Sequence, residues 1–352
     1  MLVAWWPARA SLPRLKKEVV IAGGGLAGLS LAIGLRRRGV PVVVHEAGRY
    51  PRHRVCGEFI SGVGEDTLAA LGIAEDLDGA IRHRAMRWFR EGREILTGEL
   101  PEPARGISRW LLDLRLKERL IEEGGRVVEG SRLARDADEG VVWAAGRLPR
   151  KSPWVGLKCH LKGFTMEDGL EMHLGKQGYL GLTPIEEGRV NVCGLFKVDR
   201  SIQGKGSELL LAYLEHGGHQ GLADRIRAAG RDESSFSGVA GFELGWQDGG
   251  EDLCAVGDAS GMIPPFTGNG MSMAFESAEI ALDPVEQWAL GECDWRQVID
   301  AINRASRRRF RRRVGSAMKL HQFLLHARGQ DLIEAISTRG LLPIRPLLSL
   351  VR

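Results

Sequence analysis

At 352 residues the chain can hold two domains with sizeable cores, and 43% hydrophobic against 27% charged residues excludes global disorder. Its net charge of +4 hides an uneven split: residues 301–352 carry eleven Arg and one Lys against Asp331 and Glu334, a balance of +10 that leaves −6 on the rest. No run of about 18 apolar residues is present to span a membrane, and five cysteines without CxxC spacing signal neither a zinc site nor a redox disulfide, so a reducing cytoplasm is the simpler home.

The opening MLVAWWPARASLPRL has no basic segment before its short apolar start and reads as an extension, not a cleaved signal. Its Trp5 and Trp6 leave a surface anchor, a packed arm and a misassigned start codon open. Val19 to Ala22 then form an apolar strand that runs into Gly23-x-Gly25-x-x-Gly28 and a helix with Leu29, Ala32 and Ile33 on one face. In that order the glycines give a tight turn, a close approach to a pyrophosphate and tight helix-to-strand packing, with the phosphates at the helix N-terminus. A second strand, Val40 to His45, ends in Glu46, whose carboxylate suits the ribose hydroxyls of an adenosine.

Further along, Leu112 to Glu123 reads as a helix, with strands at Arg126 to Glu129 and Val141 to Ala144 returning the chain to the dinucleotide unit. Short β-like runs separated by turns occupy Arg84 to Arg93 and Trp154 to Phe196: GLKCHLKG, LEMHLG, GYLGLTPI and RVNVCGLF. His216 and His219 have metal-like spacing, but without Cys or carboxylate partners they read as a solvent loop, and no metal site is expected. Leu253 to Val256 form another strand that stops at Gly257-Asp258, where a carboxylate meets a ribityl hydroxyl. Pro264-Pro265-Phe266-Thr267-Gly268-Asn269-Gly270 then opens a helix from Met271 to about Ala281, expected to end before Pro284. Its N-terminal amides suit the pyrimidine edge of a reduced flavin, so the two glycine-rich motifs together read as one FAD site.

The fold class that follows is α/β: a discontinuous Rossmann-like FAD-binding domain (16–80, 106–150 and 241–300), an inserted antiparallel β-sheet substrate domain (81–105 and 151–240) and a basic helical tail (301–352). Seven of the tail's arginines lie between Arg304 and Arg313, ahead of a helix-like run through Met318, Leu320, Phe323 and Leu324. Two uses stand open: docking on the acidic body through ion pairs, or peripheral contact with an anionic membrane. Nucleic acid is not expected, since the basic residues lack aromatic interleaving.

Four segments, GGGLAGLS, PRHRVCGEFISG, GYLGLTPIEEGRVNVCGLF and VGDASGMIPPFTGNGMSMAFESA, resemble the flavoprotein superfamily of p-hydroxybenzoate hydroxylase-type monooxygenases, and within it the geranylgeranyl reductase-like branch. The resemblance covers most of residues 16–300. It implies Cys56 and Glu58 as the active-site wall, from the Cys-Gly-Glu element that approaches the isoalloxazine in that branch. Tyr179 enters from the aromatic-and-proline sheet element, here with altered spacing and without its tryptophan. Arg109, with Asp113, matches the family's Arg-x-x-x-Asp beside the FAD phosphates, and Arg54 is a candidate for phosphate or for tuning the thiol. The Trp-rich motif and flavin-site lysine of the halogenase relatives are not found. Where aromatic hydroxylases carry Ala-Asp-Gly, this chain has Ala144-Ala145-Gly146.

The resulting expectation is an FAD-dependent oxidoreductase acting on a hydrophobic organic substrate, leaning to C=C reduction by reduced flavin. Oxygen insertion through a flavin hydroperoxide is the alternative, and a non-catalytic, membrane-associated FAD protein is the second. Without a second GxGxxG unit, electrons are expected from transient NAD(P)H or a separate electron-donor protein.

Overall fold

The computed structural model describes residues 16–135, 138–147, 149–247, 250 and 252–351; the Trp5–Trp6 segment lies outside them. Strand β1 (Val19–Ala22), helix α1 (Leu26–Arg37) and strand β2 (Val42–Glu46) open the chain. Leu26 to Leu35 of α1 are all buried, as a helix packed on more than one side requires. The strand β3 (Phe59–Ile60), helix α2 (Glu65–Leu71) and the long hairpin β4 (Ile81–Arg90) and β5 (Arg93–Gly106) follow. Helix α3 (Arg109–Glu122) starts where the Ser108 hydroxyl accepts the Leu111 amide at 3.1 Å, three residues ahead of the expected start. Strands β6 (Arg126–Glu129) and β7 (Val141–Trp143) complete a parallel sheet in the order β6-β2-β1-β7.

The larger sheet takes β8 (Trp154–Lys162), β9 (Leu170–Gly175), β10 (Gly178–Ile185) and β11 (Arg189–Lys197), close to the four apolar runs of the sequence. Helices α4 (Ser207–His216) and α5 (Gln220–Ala228) and strand β12 (Gly230–Ala240) follow, giving the order β12-β8-β11-β10-β9-β4-β5-β3. The pairing is antiparallel except where β4 meets β9 in parallel, and β3 joins this sheet although it sits in the segment assigned to the dinucleotide unit. Strand alternation decides what each face meets. Leu157, Cys159, Leu161, Leu180, Leu182 and Val192 pack with α4 and α5, whereas Lys158, His160, Asn191 and Cys193 stand at the alternate positions.

The remaining helices are α6 (Gly270–Ala289), α7 (Trp295–Leu325), α8 (Ala327–Ser337) and α9 (Ile344–Leu350). Three expectations are corrected here. Helix α6 runs through Pro284: the ring removes one backbone hydrogen bond, but Leu282, Val285 and Trp288 are buried on either side of it, and their burial outweighs a cost of about 3 kcal/mol. The strand at Leu253–Val256 contracts to one parallel bridge between Ala255 and Trp143, because Gly257, at φ +63°, turns the chain away. His219 is buried at the start of α5, not in a solvent loop.

The tail does not begin at 301. Helix α7 crosses that point from a capping box, Asp294 with Gln297, and packs on α6. Phe275 of α6 is fully buried in the core shared with α1 and α3. Phe275→Ala is expected to cost about 3–5 kcal/mol, read as a lowered urea midpoint with an unchanged slope.

Candidate active site

The dinucleotide end is assembled by β1, α1, β2 and α3. Gly23 has φ +111°, and a Cβ there would lie 2.5 Å from the Ala144 carbonyl oxygen, so no other residue fits. At Gly25 a Cβ would meet only Arg109 Nη2, at 3.8 Å, which leaves the backbone open to a ligand. Helix α1 has no side-chain cap and no acid in its first turn, so its amides and positive end face this opening. Glu46 accepts the Gly24 amide at 2.9 Å and the Gly48 amide at 2.8 Å, and pairs with Arg52 at 3.1 Å and Arg54 at 3.2 Å. Burial alone would push its carboxyl up; the two arginines and two amides bring it below its ordinary value.

Asp113, fully buried, holds Arg54 at 2.9 Å and grips Arg109 through two bonds of 2.6 and 2.8 Å. Arg54 also donates to the Gly24 carbonyl at 3.3 Å. Two guanidinium groups therefore stand over the glycine turn, where a pyrophosphate needs positive charge.

The far end is built by the turn after Val256 and the start of α6. Asp258 is half-buried; burial pushes its carboxyl up, opposed by Arg147 and Arg109. The Gly257 amide donates to Ser277 Oγ at 2.9 Å, which fixes the turn to α6. Pro265 and Gly270 are exposed, Gly268 adopts φ +66°, and Met271 is buried. Asn269 is 1% exposed; its amide nitrogen donates to the Val351 carbonyl, while Oδ1 has no partner. With an open Gly270 and an uncapped helix behind it, this orphaned oxygen fits a ring edge that carries an N–H. The residues present thus fit FAD at both ends.

Between the two ends, Cys56 to Glu58 lies against the larger sheet. Asn191 Nδ2 donates to the Cys56 carbonyl at 3.0 Å. Glu58, fully buried and at φ +53°, meets Lys158 Nζ at 2.9 Å and His160 Nε2 at 2.6 Å, and accepts the Arg109 amide at 3.0 Å. Burial opposes ionisation of Glu58, but His160, Lys158 and the Arg109 amide hold its carboxyl below the ordinary value. Lys158 Nζ also lies 3.3 Å from His53 Nδ1, and burial together with Lys158 lowers His53 to about 4, so the ring is neutral at pH 7. His53 stacks on Trp110, with centroids 4.4 Å apart. Burial pushes the Cys56 thiol up, opposed by Arg109, so the sulfur keeps its proton.

Tyr179 is buried, with its hydroxyl 3.2 Å from His321 Nδ1 and its ring edge-on to Phe266, so it supports the 264–270 turn. Lys158 and His160 are the residues that sequence reasoning missed. Their signal was two ionisable side chains at alternate positions of an otherwise apolar strand, Lys158 and His160 within GLKCHLKG.

Residues 18–55 match the family described as FAD binding domain. The menaquinone reductase of Mycolicibacterium smegmatis is 30% identical over 125 residues, covering 34% of this chain and 30% of that protein. That of Mycobacterium tuberculosis is 23% identical over 317 residues, 76% of each chain. The 6-methylpretetramide 4-monooxygenase of Streptomyces rimosus is 27% identical over 346 residues, 83% of this chain and 80% of that one. The solved structure of PqsL from P. aeruginosa in complex with 2-aminobenzoylacetate superposes with TM-score 0.69 at 19% identity, over 90% of this chain and 99% of that one, a likeness of fold. The chain is an FAD-dependent oxidoreductase.

Glu46→Ala removes the carboxylate that organises two amides and two arginines, and is expected to weaken FAD binding at least about tenfold while leaving FMN binding unchanged; titration by flavin fluorescence checks both. Lys158→Met leaves Glu58 buried without its cation and should lower stability by about 3–5 kcal/mol, whereas adding Glu58→Gln should recover part of the loss, a coupling measurable by denaturation of the two single variants and the double.

Proposed function

We propose that this enzyme reduces a C=C bond in a hydrophobic organic substrate bound beside the wall formed by residues 52–59, where that segment meets the larger sheet. The observation that carries the reading is Cys56: a protonated thiol beside Arg109, on a segment pinned to the sheet by Asn191, Lys158 and His160. FAD supplies the two-electron chemistry when bound. Saturating a C=C bond also needs a proton, and the thiol is a proton-bearing group at this wall. Glu58 remains ionised and ties the segment to Lys158 and His160 of the sheet; Arg109 sets the field at the sulfur while its amide holds Glu58. The two menaquinone reductases support a lipophilic, quinone-like substrate class. Ala145, at the place where aromatic hydroxylases have an aspartate, favours the same side.

The second reading, oxygen insertion, is supported by the relative named as a 6-methylpretetramide 4-monooxygenase over 83% of the chain. The reductant is external in both readings, either NAD(P)H or a reduced carrier protein.

Chemically reduced enzyme mixed anaerobically with a polyprenyl quinone is expected to be reoxidised with a product that stays heavier by the mass of two hydrogens after any hydroquinone is oxidised back to the quinone. Reoxidation only in air, with gain of an oxygen atom, identifies the monooxygenase instead. Cys56→Ser should keep full FAD content and slow anaerobic reoxidation about 10- to 100-fold, the range of a lost general acid; an unchanged rate removes Cys56 from the chemistry.

A further inference from the structure

Folding divides the arginine-rich stretch of α7 in two. Arg313, buried, and Arg309, half exposed, both pair with Glu276 of α6, at 2.7 and 2.8 Å, and Glu276 is 1% exposed. Arg307 covers the Trp246 ring. The others turn outward: Arg304, Arg308, Arg311, Arg312 and Lys319 are exposed, with no ion-pair or hydrogen-bond partner among the described residues. At 3.6 residues per turn these five fall within about 100° of arc and extend along about 22 Å of helix. The opposite arc, with Phe310, Val314, Ala317 and Leu324, is buried against the body. One turn beyond Lys319, at the edge of the same face, Phe323 is exposed, and Leu332 of α8 and Leu341 after it are also exposed.

We propose that this face of α7 docks on an anionic phospholipid bilayer. The cationic stripe matches a planar negative surface, and the exposed Phe323 and Leu332 give it apolar groups to seat among acyl chains. An RNA phosphate backbone would meet the charge but offer nothing to those side chains. No helix of the described residues is long and apolar enough to cross a bilayer. The position of the stripe adds a reason for such a surface. On the inner face of the same helix, buried His321 reaches the Tyr179 hydroxyl at 3.2 Å and stacks on Phe266 of the 264–270 turn. One helix diameter, about 10 Å, therefore separates the flavin-side turn from the lipid-facing surface. This holds for a hydrophobic substrate whichever chemistry follows, so the inference does not depend on C=C reduction.

The test uses the FAD-loaded full chain and sedimentation with phosphatidylcholine vesicles that contain or lack phosphatidylglycerol. Binding is expected only with phosphatidylglycerol, falling as salt rises. Arg308→Glu with Arg312→Glu should weaken it about tenfold or more. Arg200→Glu with Lys205→Glu, two exposed positions on other elements that change the net charge equally, should not. Phe323→Ala should weaken binding in the parent without altering its salt dependence. FAD content and melting temperature are measured on every variant, so that loss of fold is distinguished from loss of docking. The proposal is overturned by equal losses in the two double variants, by binding that is indifferent to phosphatidylglycerol, by absence of vesicle binding at low salt, or by capture of a single-stranded RNA in place of vesicles.

Discussion

The carboxylate of Glu58 is the joint on which the arrangement depends. A fully buried lysine such as Lys158 is tolerable only with a charge partner, and a buried carboxylate only with several donors; each supplies what the other lacks. The three groups that meet Glu58 come from two strand positions of the larger sheet and from the first amide of α3. From there the contacts continue without a break. Arg109 grips Asp113, Asp113 holds Arg54, and Arg54 reaches both Glu46 and the glycine turn. The Cys56–Glu58 segment and the glycine turn are thereby connected through one polar network. Such a network contributes little net stability but strongly fixes one geometry, because each alternative leaves a buried charge without a partner.

Much of the cofactor half was legible in the sequence because local rules govern it. The turn at Gly23 to Gly28, the acid at the end of β2 and the uncapped start of α6 each arise within a few residues, so spacing alone identifies them. The four runs of the larger sheet were legible for the same reason, since alternation is a local signal. What failed were features set by distant partners. Pro284 marks a helix end in isolation, yet buried neighbours carry α6 through it. Lys158 and His160 look like the solvent side of a strand until a carboxylate from residue 58 arrives to meet them.

Charge shows the same limit in another form. The sequence counts the arginines of α7 but cannot divide them, because the division depends on helical phase relative to Glu276. Two arginines satisfy that acid, and five cations along the opposite arc are left facing water. Of the two uses weighed for the tail, docking on the body is seen in the pair that meets Glu276, and it leaves the other arc uncommitted.

The left-handed backbone of Glu58 has a consequence for modularity. An L-residue other than glycine or asparagine has little local reason to adopt φ +53°, so the conformation is imposed by tertiary contacts at a cost of about 1–2 kcal/mol. Glycine would ease the backbone but bring no carboxylate, and glutamine would bring no charge for Lys158. The segment therefore has no stable shape of its own outside the assembled protein. A dinucleotide half excised from its sheet, or grafted onto a different one, would keep its glycine turn and lose the Cys56 wall; the two halves must be inherited, and redesigned, together.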